Sequence, residues 1–271
     1  MNPFRTLEQA DALVDGVRLR FVTVRSAAIG RRVDVTLCVP DCVRQCRDVP
    51  VITLLHGVYG SHWAWALKGG AHLALVRAIK ESQLPPSVLA MPSDGLWGDG
   101  SGYVRHAAAD YERWIVDEVP QMVQATVPEA SDRSRQAIAG ISMGGFAALR
   151  LAGKYPGRYA AASAHSPITE IGQFKWFVAD PLDEWSEASV DRSVMASLCA
   201  ATTPLPALRF DCGLQDELLP DCRELHQSLL ANGIEHEYEE RPGGHDWDYW
   251  TFALHASLRF FGPQLVRTDR C

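Results

Sequence analysis

The run Gly140-Ile141-Ser142-Met143-Gly144 constrains this chain more than any other. An apolar, strand-like stretch precedes it, and Phe146-Ala147-Ala148-Leu149-Arg150-Leu151-Ala152 follows with helical character. A G-x-S-x-G run between a strand and a helix forces the serine into a sharp, strained turn. The flanking glycines remove the Cβ atoms that would collide in so tight a bend. The hydroxyl of Ser142 then stands clear of a sheet, at a helix N-terminus whose free N–H groups favour negative charge. Those are the requirements of an acyl-transfer nucleophile.

A serine hydroxyl needs a base. Arg241-Pro242-Gly243-Gly244-His245-Asp246-Trp247 follows the strand-like His236–Glu240 stretch, and its turn places His245 on a loop before the last helix. Leu208-Arg209-Phe210-Asp211-Cys212-Gly213 reads as a buried strand, and Asp216 lies just beyond it. Ser142, Asp216 and His245 thus each lie near the C-terminal end of a strand, the edge where open α/β sheets build their sites. Their chain order, serine then acid then histidine, is that of hydrolases built on a strand-to-helix elbow. Glu217, Asp221 and Asp246 are alternatives for the acid, with a solvated surface role as their default. Asp211, inside the strand, reads as a structural carboxylate.

The third requirement is a pair of N–H donors for the developing oxyanion. Val51-Ile52-Thr53-Leu54-Leu55 is a short continuous apolar run, the pattern of a strand buried on both faces. It ends in His56-Gly57-Val58-Tyr59-Gly60. Val58 is the expected first donor and Met143, the residue after the serine, the second. His56 reads as a structural hydrogen-bonding residue that holds the loop. Tyr59, Trp97 in the glycine-rich stretch Asp94–Tyr103, and Trp176 are the candidate substrate-binding residues.

Several segments together resemble the Putative esterase family of α/β-hydrolases, which includes esterase D-like and tributyrin esterase-like members. They are Leu54-Leu55-His56-Gly57 with Trp63, Met91-Pro92-Ser93-Asp94-Gly95, Gly140-Ile141-Ser142-Met143-Gly144-Gly145, Cys212-Gly213-Leu214-Gln215-Asp216 and Pro242-Gly243-Gly244-His245-Asp246-Trp247-Asp248-Tyr249-Trp250. The resemblance implies an α/β-hydrolase fold, with a mostly parallel central sheet and helices on both faces. It implies a Ser142–Asp216–His245 triad with Val58 and Met143 as oxyanion donors, and no cofactor or metal. S-formylglutathione hydrolases usually carry a Thr-Cys pair after the early His-Gly. This chain has Val58-Tyr59-Gly60-Ser61 there, which favours the simple carboxylesterase branch. The expected activity is hydrolysis of short-chain carboxylic esters through an acyl-enzyme. Rival readings are a thioesterase or S-formylglutathione hydrolase, an acyltransferase on the same fold and, from another class, a catalytically silent binding protein.

Composition narrows the partners. The 271 residues, 47% of them hydrophobic, suffice for one large core, read as a single domain over 1–271 with residues 166–206 as a candidate cap insertion. A formal net charge of −7 with no basic run argues against nucleic acid. No stretch approaches eighteen consecutive apolar residues, so no membrane span is expected. The N-terminus lacks a basic-then-apolar leader pattern, and the odd count of seven cysteines suits reduced thiols, so a cytoplasmic location is expected. Cys38, Cys42 and Cys46 lack a matching second cluster and read as ordinary thiols rather than a zinc site. The partner expected is a small-molecule ester, with a homo-oligomer left open.

Apolar patterning predicts strands near 18–26, 33–39, 50–55, 87–91, 136–141, 160–164, 206–212 and 235–241. Helices are expected near 71–82, 110–126, 143–154, 220–232 and 246–261. The first strands have no helix between them and should be antiparallel. Trp247 and Trp250, at helical spacing after the histidine, are expected to pack the last helix onto the core.

Overall fold

The computed structural model describes residues 3–96 and 98–266. One nine-stranded sheet organises them, with strands in the order β1-β2-β3-β5-β4-β6-β7-β8-β9. They are β1 (Leu7–Val14), β2 (Val17–Arg25), β3 (Arg32–Cys38), β4 (Val51–Leu55), β5 (Val88–Pro92), β6 (Gln136–Ile141), β7 (Ala161–His165), β8 (Ala207–Gly213) and β9 (Glu237–Arg241). The pairs β1–β2, β2–β3 and β3–β5 are antiparallel; from β5 through β4, β6, β7 and β8 to β9 every pair is parallel. The central strands β4, β5 and β7 are buried at every position, which is why they read as unbroken apolar or small-residue runs.

Strand β1 is absent from the apolar pattern because most of its side chains face solvent. Its signal is the turn. Asp15 and Gly16 have φ of 50° and 77°, the positive pair that a two-residue hairpin needs to match strand twist.

Helices cover both faces. On one lie α1 (Ala64–Leu67), α2 (Ala71–Lys80) and the long final helix, which share a core with Leu19, Ile52, Leu54 and Ala139. On the other lie α3 (Tyr111–Arg113), α4 (Val119–Thr126) and α5 (Met143–Lys154), around Phe146, Leu37 and Ile138. The 110–126 stretch is helical as expected, but Trp114–Glu118 widens into a π-turn between α3 and α4. Pro120 lacks the N–H that would reach back to the Val116 carbonyl. That oxygen is instead taken by Arg158 Nη2 at 2.9 Å.

Between β7 and β8 the chain makes an excursion over 166–206. It holds a 3₁₀ turn (Ile171–Trp176), α6 (Ser189–Arg192) and α7 (Val194–Cys199), none with enough periodic sequence to be foreseen. Ser197 Oγ donates to the Arg150 carbonyl at 2.6 Å, docking α7 onto α5. Gly153 makes the approach close: a Cβ there would lie 2.6 Å from the Ser197 backbone. Under this region Arg150 is fully buried, paired with Glu112 and Asp191. Two helices complete the fold, α8 (Leu219–Ala231) and α9 (Trp247–Leu265).

Candidate active site

Ser142 sits between β6 and α5 with φ 51° and ψ −116°, outside the regions an L-residue prefers. Its neighbours enforce this. A Cβ on Gly140 would lie 2.2 Å from the Gly144 backbone, and one on Gly144 would lie 2.3 Å from the Leu55 carbonyl oxygen. The turn can close only because both positions lack side chains. The Ser142 N–H donates to the His165 carbonyl of β7 at 3.0 Å, fixing the turn to the sheet. The Ser142 hydroxyl has no hydrogen-bond partner among the described residues, although it is buried. It lines a cavity of about 310 Å³ whose walls also include His245, Val58, Phe177 and Trp250.

His245 lies on the loop between β9 and α9. Its Nδ1 meets both carboxylate oxygens of Asp216, at 2.9 and 3.1 Å. Asp216 follows β8, and its Oδ1 also accepts the Leu218 N–H at 2.9 Å. Burial pushes the Asp216 carboxyl up, but the hydrogen bond and charge of His245, with hydrogen bonds from Ser166 and the Leu218 amide, hold it below the usual carboxylate range. Asp216 is therefore ionised wherever the histidine operates, and with Nδ1 engaged it is Nε2 that is free to exchange a proton. The alternative acids do not reach the histidine among the described contacts. Asp246 instead caps α9, accepting the Tyr249 N–H at 3.0 Å.

Val58 lines this cavity, and Met143 directly follows Ser142 in the chain without lining it. The Val58 N–H has no acceptor among the described residues, and Met143, at the first position of α5, has none within its helix. Gly57 brings the Val58 loop against the elbow, since a Cβ on it would be 3.4 Å from that of Ser142. His56 Nδ1 lies 2.7 Å from the Gly57 carbonyl while Nε2 accepts the Asp94 N–H at 3.3 Å. The ring thus staples the loop to the Asp94 segment, in keeping with its structural reading.

The candidate substrate-binding residues separate. Tyr59 lines the cavity; it also ties loops together, its N–H donating to Asp99 O at 2.8 Å and its hydroxyl to the Phe177 carbonyl. Trp176 is 61% exposed and does not line the cavity; its neighbour Phe177 does. At the end of a short 3₁₀ turn consecutive side chains diverge, so one residue's shift in sequence exchanges solvent for site. Trp97 lies outside the described residues. Trp247 and Trp250 pack α9 as expected, and both also face the cavity.

Three further residues contribute, of which Phe177 is one of the aromatics of the 166–206 segment that the sequence offers as candidate pocket walls. Phe177 stacks on His245, Lys68 lines the cavity, and Ser166, at φ 46°, accepts the Trp250 indole N–H at 3.3 Å and helps to keep the acid's charge favoured. Asp211 proves to be structural: it accepts from Arg209, from Tyr249 Oη at 2.8 Å and from His165 Nδ1 at 2.9 Å, all inside the protein. His165 Nε2 in turn lies 3.0 Å from Ser257 Oγ.

A strand-to-helix serine and a histidine held by an ionised carboxylate at one cavity on a mostly parallel sheet define an α/β-hydrolase fold. The chain belongs to the family described as "Putative esterase", whose model matches residues 26–261. It is 28% identical over 260 residues to Esterase Rv1288 of Mycobacterium tuberculosis, a match that covers 84% of this chain and 56% of that esterase. The chain thus spans little more than half the length of that relative. It is 26% identical over 222 residues to an acetyl esterase of Caldicellulosiruptor saccharolyticus, covering 75% of this chain and 79% of that enzyme. Among solved structures it is similar to a ferulic acid esterase, with a TM-score of 0.79 and 24% identity over 92% of this chain and 99% of that one. No helix among the described residues is long and apolar enough to cross a membrane.

Proposed function

We propose that the protein is a serine carboxylesterase acting on short-chain carboxylic esters of small molecules. Ser142 Oγ attacks the ester carbonyl while His245 Nε2 takes its proton, and Asp216 holds the imidazole and balances its charge. The carbonyl oxygen becomes an oxyanion received by the Val58 and Met143 N–H groups. Collapse breaks the bond to the alcohol oxygen, which leaves with the proton from His245, and an acyl-enzyme remains. Water, deprotonated by His245, then releases the acid and restores Ser142.

What supports this reading most is the strained Ser142 facing the same cavity as a histidine whose Nδ1 is held 2.9 Å from a carboxylate. The unpaired Ser142 hydroxyl accords with it, because catalytic hydrogen bonds are often loose before substrate binds. The 166–206 excursion acts as a small cap within a single domain, and the enzyme works in the cytoplasm.

The test is a fluorophosphonate label combined with Ser142→Ala. Wild-type protein is expected to take one label at Ser142 and hydrolyse a p-nitrophenyl ester. The variant should take none and lose roughly three to six powers of ten in kcat. Near-wild-type turnover by a folded Ser142→Ala protein would refute the mechanism.

A further inference from the structure

We propose that this cavity selects esters carrying a carboxylate, and that Lys68 is the residue that selects them. The proposal rests on the esterase reading above. The chain carries a net charge of −7, with 33 acidic against 26 basic residues, so its average surface repels anions. The cavity beside Ser142 departs from that average. No Asp or Glu is among its described lining residues, and Lys68 lines it.

Lys68 is not placed there by chance of a long side chain. It caps the C-terminal end of α1, its N–H bonded to the Ala64 carbonyl. The next residue, Gly69, lets the Trp247 ring come so close that a Cβ would sit 2.7 Å from it. The ammonium then lies 5.7 Å from the centre of the Trp247 ring, which is itself a cavity wall. Lys68 is exposed, and among the described residues its side-chain contact is the Trp247 ring rather than a carboxylate, so its charge is open to a ligand. Trp247 and Trp250 offer apolar contact to the body of the substrate while the ammonium meets a carboxylate at the edge. At about 310 Å³ the cavity lies at the small end of ligand sites. The chemical class is therefore a compact ester with an acid group a few bonds from the scissile carbonyl.

The test compares two matched pairs by pH-stat: monoethyl succinate with ethyl butyrate, which puts the carboxylate in the acyl part, and 4-acetoxybenzoate with phenyl acetate, which puts it in the alcohol part. The readout is the anionic-to-neutral ratio of kcat/KM, compared between proteins so that intrinsic reactivity cancels. In at least one pair that ratio is expected to fall about tenfold from wild type to Lys68→Met, to survive in Lys68→Arg and to fall further in Lys68→Glu. Salt at about 0.5 M should bring the wild-type ratio toward that of Lys68→Met. The pair that responds places the carboxylate. Equal ratios in wild type and Lys68→Met for both pairs, with neutral esters still hydrolysed, would overturn the proposal and leave the esterase reading standing; Lys68 would then only pack on Trp247. A wild-type protein that hydrolyses none of the four esters would overturn both.

Discussion

The ring of Phe177 lies over the imidazole of His245, centroids 5.8 Å apart and planes 16° from parallel. Trp250 meets that imidazole edge-on, at 4.9 Å and 87°. The histidine is thus fixed by one aromatic from α9 and one from the 166–206 excursion. Phe177→Ala should leave the fold intact but loosen the imidazole, lowering kcat by about 3- to 30-fold, since small misplacements of a catalytic group are costly in rate. Phe177→Leu, which keeps an apolar wall, should retain more activity. Steady-state kinetics with one short ester, beside thermal melts, checks both; wild-type kcat in Phe177→Ala would show the stacking to be idle.

The elbow makes a prediction about stability. Gly144→Ala would drive a methyl into the Leu55 and His56 carbonyl oxygens, 2.3 and 2.7 Å from the built Cβ. Those are backbone atoms of a central strand end, with no side chain to swing aside. A loss of about 3 kcal/mol or more is expected in urea unfolding. A loss under about 1 kcal/mol would mean that the turn yields more easily than its contacts imply.

Asp211 sets an acid limit. Burial pushes its carboxyl up, but His165 and Arg209 outweigh that and leave it lowered to about 2 from an ordinary 3.8. A carboxyl depressed on folding stabilises fully above its unfolded value. That contribution, on the order of 2 kcal/mol, is lost as pH falls from about 4 toward 2. Asp211→Asn should be destabilised at neutral pH by about 2 kcal/mol, because buried Arg209 would lose its buried carboxylate and keep only the half-exposed Glu239 at 3.2 Å. The variant's deficit should shrink between pH 4 and 2, which paired urea titrations would reveal. A deficit constant with pH would contradict the assignment.

Acyl length should matter. Phe177, Trp247 and Trp250 wall a cavity of about 310 Å³ beside Ser142. Each methylene that fits should contribute about 0.8 kcal/mol, until the walls are met. Acetyl and butyryl p-nitrophenyl esters should therefore exceed octanoyl and decanoyl esters in kcat/KM. A profile still rising at decanoate would rule out the short-chain reading.

The parts of this site that could be read from sequence are those with strict backbone demands. Gly140 and Gly144 announce the elbow because no other residue fits, and the turn before His245 is marked by Pro242-Gly243-Gly244. The hairpin of β1 has a comparable mark in Asp15-Gly16, but its outward-facing side chains give no apolar period. Ser166 is legible only in three dimensions, and Phe177 only as one of several aromatics in 166–206. Phe177 reaches the histidine because α7 docks on α5 and the Tyr59 hydroxyl holds the Phe177 carbonyl, contacts between segments far apart in the chain. Nothing local distinguishes it from Trp176. Lys68 is one of 26 basic residues until the fold brings Trp247 beneath it.

The sealed group of Asp211, His165 and Ser257 has a consequence for how such proteins are searched. It places a serine hydroxyl 3.0 Å from an imidazole whose other nitrogen is 2.9 Å from a carboxylate, with all three residues fully buried. A template that asks only for serine, histidine and aspartate at bonding distances would accept this trio and, because Ser142 Oγ has no hydrogen-bond partner among the described residues, could pass over the candidate site. Access for a reactant and a strained backbone at the serine are the better discriminants. Within one chain, the buried trio serves as a natural decoy against which any automated recognition of hydrolytic sites can be calibrated.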